Sequence, residues 1–157
     1  MISITKEFKW AMAHRLENHK GLCNNLHGHT YKLLVTVARL NHLLIKTDAS
    51  SEGMVIDFKD LNNVVNNVIV KPLDHSLAYN ENHKESKIVN NILKDTYNQK
   101  LFAFPFRVTA ENMAKWIYEK LNIHFKDEQL EIKCIKVILY ESPTSYATYE
   151  RIKQNEN

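Results

Sequence analysis

The sequence predicts an α+β fold in which a four-stranded antiparallel sheet carries two helices on one face. Two observations predict it. Apolar residues recur with a two-residue period in a pair of segments near the start of the chain and another pair near its end, whereas two middle segments space them helically. The order is therefore strand, strand, helix, helix, strand, strand (ββααββ), with a hairpin at either end. Of the 157 residues, 44% are hydrophobic and 25% charged. Such a chain is expected to form a single domain over residues 1–157 and to bury its core without disulfides or a structural metal.

Ile2, Ile4, Phe8, Trp10 and Met12 share one parity, broken by Lys6, and read as a half-buried strand. His14 continues that parity to the point where the row leaves the core. The polar loop from Leu16 to Leu26 carries Gly21 and Cys23, and loops of this kind on a rigid scaffold are where chemistry resides. A second strand places His29, Tyr31, Leu33, Val35 and Val37 on one face, and antiparallel pairing through the loop brings His14 near His27 and His29. His27 and His29 are two apart, so on extended backbone both imidazoles point the same way. Gly28 between them leaves room for the backbone to approach whatever they hold. Three neutral imidazoles are the protein ligands of a catalytic zinc site whose fourth position stays open. Cys23 precedes the pair outside any Cys-x-x-Cys spacing and reads as a nucleophile or base beside the metal rather than a ligand. Paired surface histidines are common, and the reading depends on the residues that accompany this pair.

Residues 41 to 56 read as a connection with a short strand from Gly53 to Ile56. Asp57 is a helix N-cap, with Asp60 three residues on in the manner of a capping box. Phe58, Leu61, Val65, Val68 and Ile69 make a helix over residues 58–70, which Pro72 stops. Asp74 and His75 follow. Either Asp74 caps a turn and His75 is one of eight histidines, or the carboxylate orients the imidazole as a base. The second reading needs a turn, because neighbours on a strand point apart. The polar stretch from Asn80 to Gln99 holds a short helix around Ser86 to Lys94 and no recognisable chemistry. Pro105 in the aromatic run Leu101 to Phe106 argues for an edge segment or a subunit contact. Thr109 N-caps a second helix with an apolar stripe of Ala110, Met113, Ala114, Ile117 and Leu121. Glu111 in its first turn either complements the helix dipole or faces a ligand.

A third strand places Ile135, Val137, Leu139 and Glu141 on one face and Ile132, Cys134, Ile138 and Tyr140 on the other, with Cys134 a plain core residue. Glu141 ends an apolar row as a partly buried carboxylate. Such a group wants hydrogen-bond donors, and a guanidine-like ring edge offers them. Pro143, Thr144 and Ser145 turn the chain into a last strand, Tyr146 to Ile152. The net charge of +3 suits a small anionic substrate and is too small and scattered for nucleic acid. Two cysteines fit a reduced, cytoplasmic protein. No apolar run approaches membrane-spanning length. An uncovered sheet face and the aromatic run are expected to be covered by homo-oligomerisation.

The combination of Ala13-His14-Arg15-Leu16, Cys23-x-x-x-His27-Gly28-His29, Gly53-Met54-Val55-Ile56-Asp57-Phe58, Leu73-Asp74-His75, Thr109-Ala110-Glu111-Asn112 and Glu141…Tyr149 closely resembles one family. That family is the 6-pyruvoyl-tetrahydropterin synthase / 6-carboxy-tetrahydropterin synthase family, and the resemblance spans nearly the whole chain. It implies a tunnelling fold, or T-fold, in which trimers close their sheets into barrels and stack as hexamers, with sites at subunit interfaces. It implies that His14, His27 and His29 bind Zn2+, that Cys23 is the catalytic cysteine, and that Asp74 and His75 form a catalytic pair able to serve a neighbour's Cys23. Glu141 matches the pterin-anchoring glutamate, and Thr109 and Glu111 match a segment beside the pterin.

The implied substrate is 7,8-dihydroneopterin triphosphate. Zinc would acidify its side-chain hydroxyls, and the Cys23 thiolate would remove a side-chain proton. The compact length, the Cys-x-x-x-His-Gly-His form and the segment from Leu101 to Asn112 look more like the bacterial queuosine-pathway members. That branch implies 6-carboxy-tetrahydropterin as product, with acetaldehyde and triphosphate released. The 6-pyruvoyl product of the biopterin branch stays open, as does a zinc- and pterin-binding protein without turnover. Cysteine at position 23 argues against the variant branch that uses glutamate there. Two departures stand out. Val108 replaces a frequent proline and is expected to loosen the entry to the second helix, and Ala78-Tyr79-Asn80 departs from the usual Leu-Asn pattern. Arg15 and nearby lysines are candidates for the triphosphate.

Overall fold

The computed structural model describes residues 1–41, 43–46 and 50–151. Strands β1 (Ile4–His14) and β2 (His27–Arg39) form the antiparallel hairpin that the alternation predicts, in register from Ile4 opposite Val37 to His14 opposite His27. Phe8, Trp10 and Met12 on β1 and Tyr31, Leu33, Val35 and Val37 on β2 are all buried on one face. β5 (Ile132–Tyr140) pairs antiparallel with β2, and β6 (Tyr146–Glu150) with β5. The expected final residue of that last strand, Ile152, lies outside the described residues.

The α+β class holds, and the expected count of four antiparallel strands is corrected to six strands among the described residues, in the order β4-β3-β1-β2-β5-β6. The two additions are β3 (Ser76–Asn80) and β4 (Leu101–Phe104), parallel to β1 and to each other. Ser76, Leu77 and Ala78 are buried in succession, so β3 carries no alternation by which to be read. β4 is the edge segment that Pro105 implied. A second correction concerns the third strand of the sequence reading. The β2–β5 register shifts between Thr36 and Val37, so that Val37 faces Cys134 while Thr36 faces Lys136. This bulge brings Ile132 and Cys134 onto the core side together with Val137 and Leu139. Cys134 is fully buried, and burial pushes its thiol up to about 12.

Asp57 caps α1 (Phe58–Val65) by accepting from the Lys59 N–H. Pro72 does not stop the helix at residue 70. The chain continues through a π-helical turn, Asn66–Val70, into α2 (Lys71–Leu73). Pro72 has no N–H to offer the carbonyl four residues back and its ring crowds that carbonyl, which accounts for the widening of the turn before it. The segment from Gly53 to Ile56 is a loop rather than a strand, closed by bonds between Ile45 and both Gly53 and Met54. α3 (Lys84–Tyr97) is longer than expected and ends at Asn98, which adopts the left-handed conformation at φ 52°. α4 (Ala110–Asp127) starts at the predicted Thr109 cap.

Leu61, Val65 and Ile69 join Met113, Ala114, Ile117, Leu121 and Phe125 of α4 in covering the apolar face of the sheet. α3 departs from the expectation of helices on one face. Leu77 and Tyr79, which alternate with the core residue Ala78, line a cavity with Val89 and Leu93 of α3 on the other side of the sheet. Among the described residues no helix is long and apolar enough to cross a membrane.

Candidate metal centre

The buried row on the β1–β2 hairpin does not end in apolar residues. His14 lies directly opposite His27 at the open end of the register, and His29 lies opposite Met12 two positions on. Alternation puts all three imidazoles on the core face. Their ring centroids are 4.7 Å (His14–His27), 5.2 Å (His14–His29) and 4.9 Å (His27–His29) apart. One nitrogen from each lies within 4.8 Å of the other two.

Backbone carbonyls orient two of the rings. His14 Nδ1 donates to the Val108 carbonyl at 2.9 Å, and His27 Nδ1 to the Asn25 carbonyl at 2.8 Å. Because a carbonyl only accepts, both rings carry their proton on Nδ1 and turn the Nε2 lone pair inward. Among the described residues, the Nε2 atoms of His14, His27 and His29 are buried and have no hydrogen-bond partner. Buried polar atoms are normally satisfied, so three converging unpartnered nitrogens, those of His14 and His27 bearing lone pairs, mark a place for an electrophile. Burial pushes His14 down to about 4 and lowers His29 as well. Neutral imidazole is the form that binds a metal. A three-histidine set with one side open fits zinc.

Tyr31 floors the site. It is fully buried, its hydroxyl lies 3.4 Å from His14 Nδ1, its ring packs edge-on against His14 and His29, and burial raises its phenol. Glu141 closes one side. It follows Val137 and Leu139 beyond the end of β5 onto the core face, and its Oε1 lies 3.5 Å from His14 Nε2 and 3.9 Å from His29 Nε2. Its side chain is 29% exposed, so the carboxylate is reachable from solvent.

The remaining predicted residues are not all drawn to this centre. Cys23 is a free, half-buried thiol on a short 3-10 turn, Leu22–Asn24. Its loop is closed by the Leu16 N–H donating to the Cys23 carbonyl at 2.8 Å and by Arg15 donating to Asn24. Glu17, buried in the same loop, accepts from Ser86 Oγ at 2.7 Å and ties the loop to α3. Asp74 and His75 stand side by side 3.8 Å apart in the turn before β3, as the sharper reading required. His75 is exposed and lines an open depression with Ala11, Ala13, Gly28 and Thr30, the residues that alternate with the core-facing histidines. Among the described residues no hydrogen bond or ion pair joins it to Cys23. Gly28 is thereby corrected too: its missing side chain opens this opposite face, not the space around the imidazoles, and an added Cβ there would meet the Met12 carbonyl at an ordinary 3.5 Å.

Thr109 Oγ1 accepts from the Asn112 N–H and caps α4, and Glu111 is exposed in its first turn. Val108, flagged as a departure, is fully buried and its carbonyl is the group that orients His14. The orienting carbonyls of Val108 and Asn25 and the Glu17–Ser86 tie escaped the sequence reading. A backbone carbonyl carries no residue-type signal, and Glu17 and Ser86 are 69 positions apart.

The family model described as 6-pyruvoyl tetrahydropterin synthase matches residues 3–152. A protein of Haemophilus influenzae named 6-carboxy-5,6,7,8-tetrahydropterin synthase is 45% identical over 151 residues, covering 96% of this chain and 99% of that protein. One of the same name from Aquifex aeolicus is 30% identical over 94% of this chain and 96% of its own. Among solved structures, an uncharacterized protein from Wolinella succinogenes superposes with a TM-score of 0.75 at 21% identity, covering 96% of this chain and 98% of its own. The 6-pyruvoyl tetrahydropterin synthase of Plasmodium falciparum does so with a TM-score of 0.66 at 19% identity, covering 96% and 97%. The fold is the T-fold of these structures, and on the strength of the full-length match the chain belongs to the 6-pyruvoyl tetrahydropterin synthase family.

Proposed function

We propose that the protein is a zinc-dependent 6-carboxy-5,6,7,8-tetrahydropterin synthase. It converts 7,8-dihydroneopterin triphosphate to 6-carboxy-tetrahydropterin with release of acetaldehyde and triphosphate, a lyase step in queuosine (7-deazaguanine) biosynthesis. The observation that carries the reading is the convergence of three buried, unpartnered imidazole nitrogens beside a reachable carboxylate. The name of the Haemophilus influenzae relative favours the 6-carboxy product over the 6-pyruvoyl one.

His14, His27 and His29 would hold the metal, their inward Nε2 atoms being the unpartnered donors. Zinc bound there supplies Lewis acidity toward the hydroxyls of the substrate side chain. Glu141 accepts from the amino group and ring N–H of the pterin, which fixes the ring with its side chain over the histidines. Cys23 takes a proton from the side chain as thiolate, and the Asp74–His75 pair passes protons on, the carboxylate holding the imidazole in its working orientation. Thr109 and Glu111 flank the ring from the start of α4. The position of His75 on the sheet face opposite the histidines supports a site shared between subunits of a homo-oligomer, trimers stacked as hexamers, in which a neighbour's Cys23 meets this chain's His75. The working unit is the whole of residues 1–157 as one domain, in the cytoplasm.

The test is to incubate zinc-loaded protein with 7,8-dihydroneopterin triphosphate, identify the pterin by mass spectrometry and assay acetaldehyde. A 6-carboxy product with acetaldehyde supports the proposal. A 6-pyruvoyl product moves the protein to the biopterin branch, and binding without product makes it a zinc- and pterin-binding protein.

A further inference from the structure

His75 is held at φ 56°, the left-handed region that residues with a Cβ seldom occupy. A conformation of this kind persists only where its surroundings over-determine it. The surroundings here are specific. The His75 N–H donates to the Ala11 carbonyl at 2.7 Å, and the Ala11 N–H donates to Asp74 Oδ1 at 3.0 Å. These two bonds hold the ends of the pair against β1. The first of them already holds the N–H side of the peptide plane that joins Asp74 to His75, and the orientation of that plane sets ψ of Asp74 and φ of His75 together.

Lys100 holds its carbonyl side. Its Nζ donates to the Asp74 carbonyl at 2.5 Å and to the Lys71 carbonyl at 2.7 Å, while its own carbonyl accepts from the Leu77 N–H at 2.9 Å. The ammonium therefore sits at the C-terminal end of α2, where helix carbonyls lack partners and a cation is favoured. Its main chain is fixed by the β3 edge. We infer that Lys100 is a positioning residue, whose ammonium keeps the Asp74–His75 peptide from flipping and so holds the His75 imidazole where it serves the reaction. Without the ammonium the plane is held from its N–H side alone, and His75 is freed to relax to negative φ with its ring displaced. The inference rests on the proposed role of Asp74 and His75 as a catalytic pair.

The experiment compares Lys100→Met, Lys100→Arg, Asp74→Asn and His75→Ala in the zinc-loaded protein with 7,8-dihydroneopterin triphosphate. Lys100→Met should lower kcat by at least about tenfold, the scale of a small misplacement of a reacting group. KM and zinc content should be unchanged, and amide exchange at His75 should be faster. Lys100→Arg should recover most of kcat, since a guanidinium can bridge the same two carbonyls. A lysine of merely structural value would lower Tm and leave kcat of the folded protein intact. Full kcat and unchanged His75 exchange in Lys100→Met overturn the inference if Asp74→Asn and His75→Ala lose activity. Full activity in those two variants instead overturns the assignment of the pair, and with it the role given to Lys100.

Discussion

At the scale of single residues, the site is built from side chains whose second atoms are committed elsewhere. His14 has its Nδ1 on the Val108 carbonyl, its ring edge-on to Tyr31, and only Nε2 to spare. His27 is held in the same way by Asn25. Removing one ligand should therefore not be repaired by its neighbours: His27→Ala is expected to lose stoichiometric zinc, with affinity lowered by well over about 100-fold. Metal analysis after desalting checks this, and retained zinc would refute the ligand assignment. On the proposed reading, zinc held by the three imidazoles also stabilises the fold. A ligand at a thousand times its Kd adds about 4 kcal/mol to unfolding. Stripping with a chelator should lower Tm by several degrees, and re-addition of zinc should restore it. Among the described residues no bond joins Cys23 to His14, His27 or His29, so Cys23→Ala should keep zinc and stability and lose turnover, by about 100-fold or more for a missing general base.

At the scale of elements, the start of α4 serves the metal centre indirectly. The Thr109 hydroxyl caps the helix, and the residue before it presents the carbonyl that orients His14. Thr109→Ala is expected to cost about 1 kcal/mol in urea unfolding, and Thr109→Asn, a comparable cap, to recover it. If Thr109 also touches the pterin, KM rises in the asparagine variant although stability does not fall. The elements that proved legible are those whose periodicity is dictated by one buried face. The β1–β2 hairpin and the α4 stripe are cases, and the convergence of His14, His27 and His29 follows from the hairpin register. What stayed hidden lacks that signature. β3 is buried on both faces and shows no alternation. The bulge that moves Cys134 to the core depends on pairing with β2, and the widened turn before Pro72 on how the helix resolves a missing N–H. The reading of Gly28 as room beside the imidazoles overlooked that alternation turns the residue between His27 and His29 to the opposite face.

At the scale of the whole molecule, the sheet separates two chemistries. The histidines, Tyr31 and Glu141 lie on the face that α1 and α4 cover, and the depression lined by His75 opens on the other side. The His75 N–H bond to the Ala11 carbonyl ties the Asp74–His75 turn to β1 on that side. The proposal that a second chain completes the site rests on this separation. It predicts complementation between two inactive variants. Cys23→Ala and His75→Ala chains, mixed in equal amounts and reassembled, should regain about one quarter of wild-type activity, because a random shared site draws an intact cysteine from one chain in two and an intact histidine from one in two. Sites built within one chain would each retain one lesion, and activity in the mixture would then stay at the level of the separate variants. Measuring turnover of the reassembled mixture against each variant treated alone decides between them, and the zinc content of both variants, expected to be full, guards against loss of the fold as the cause.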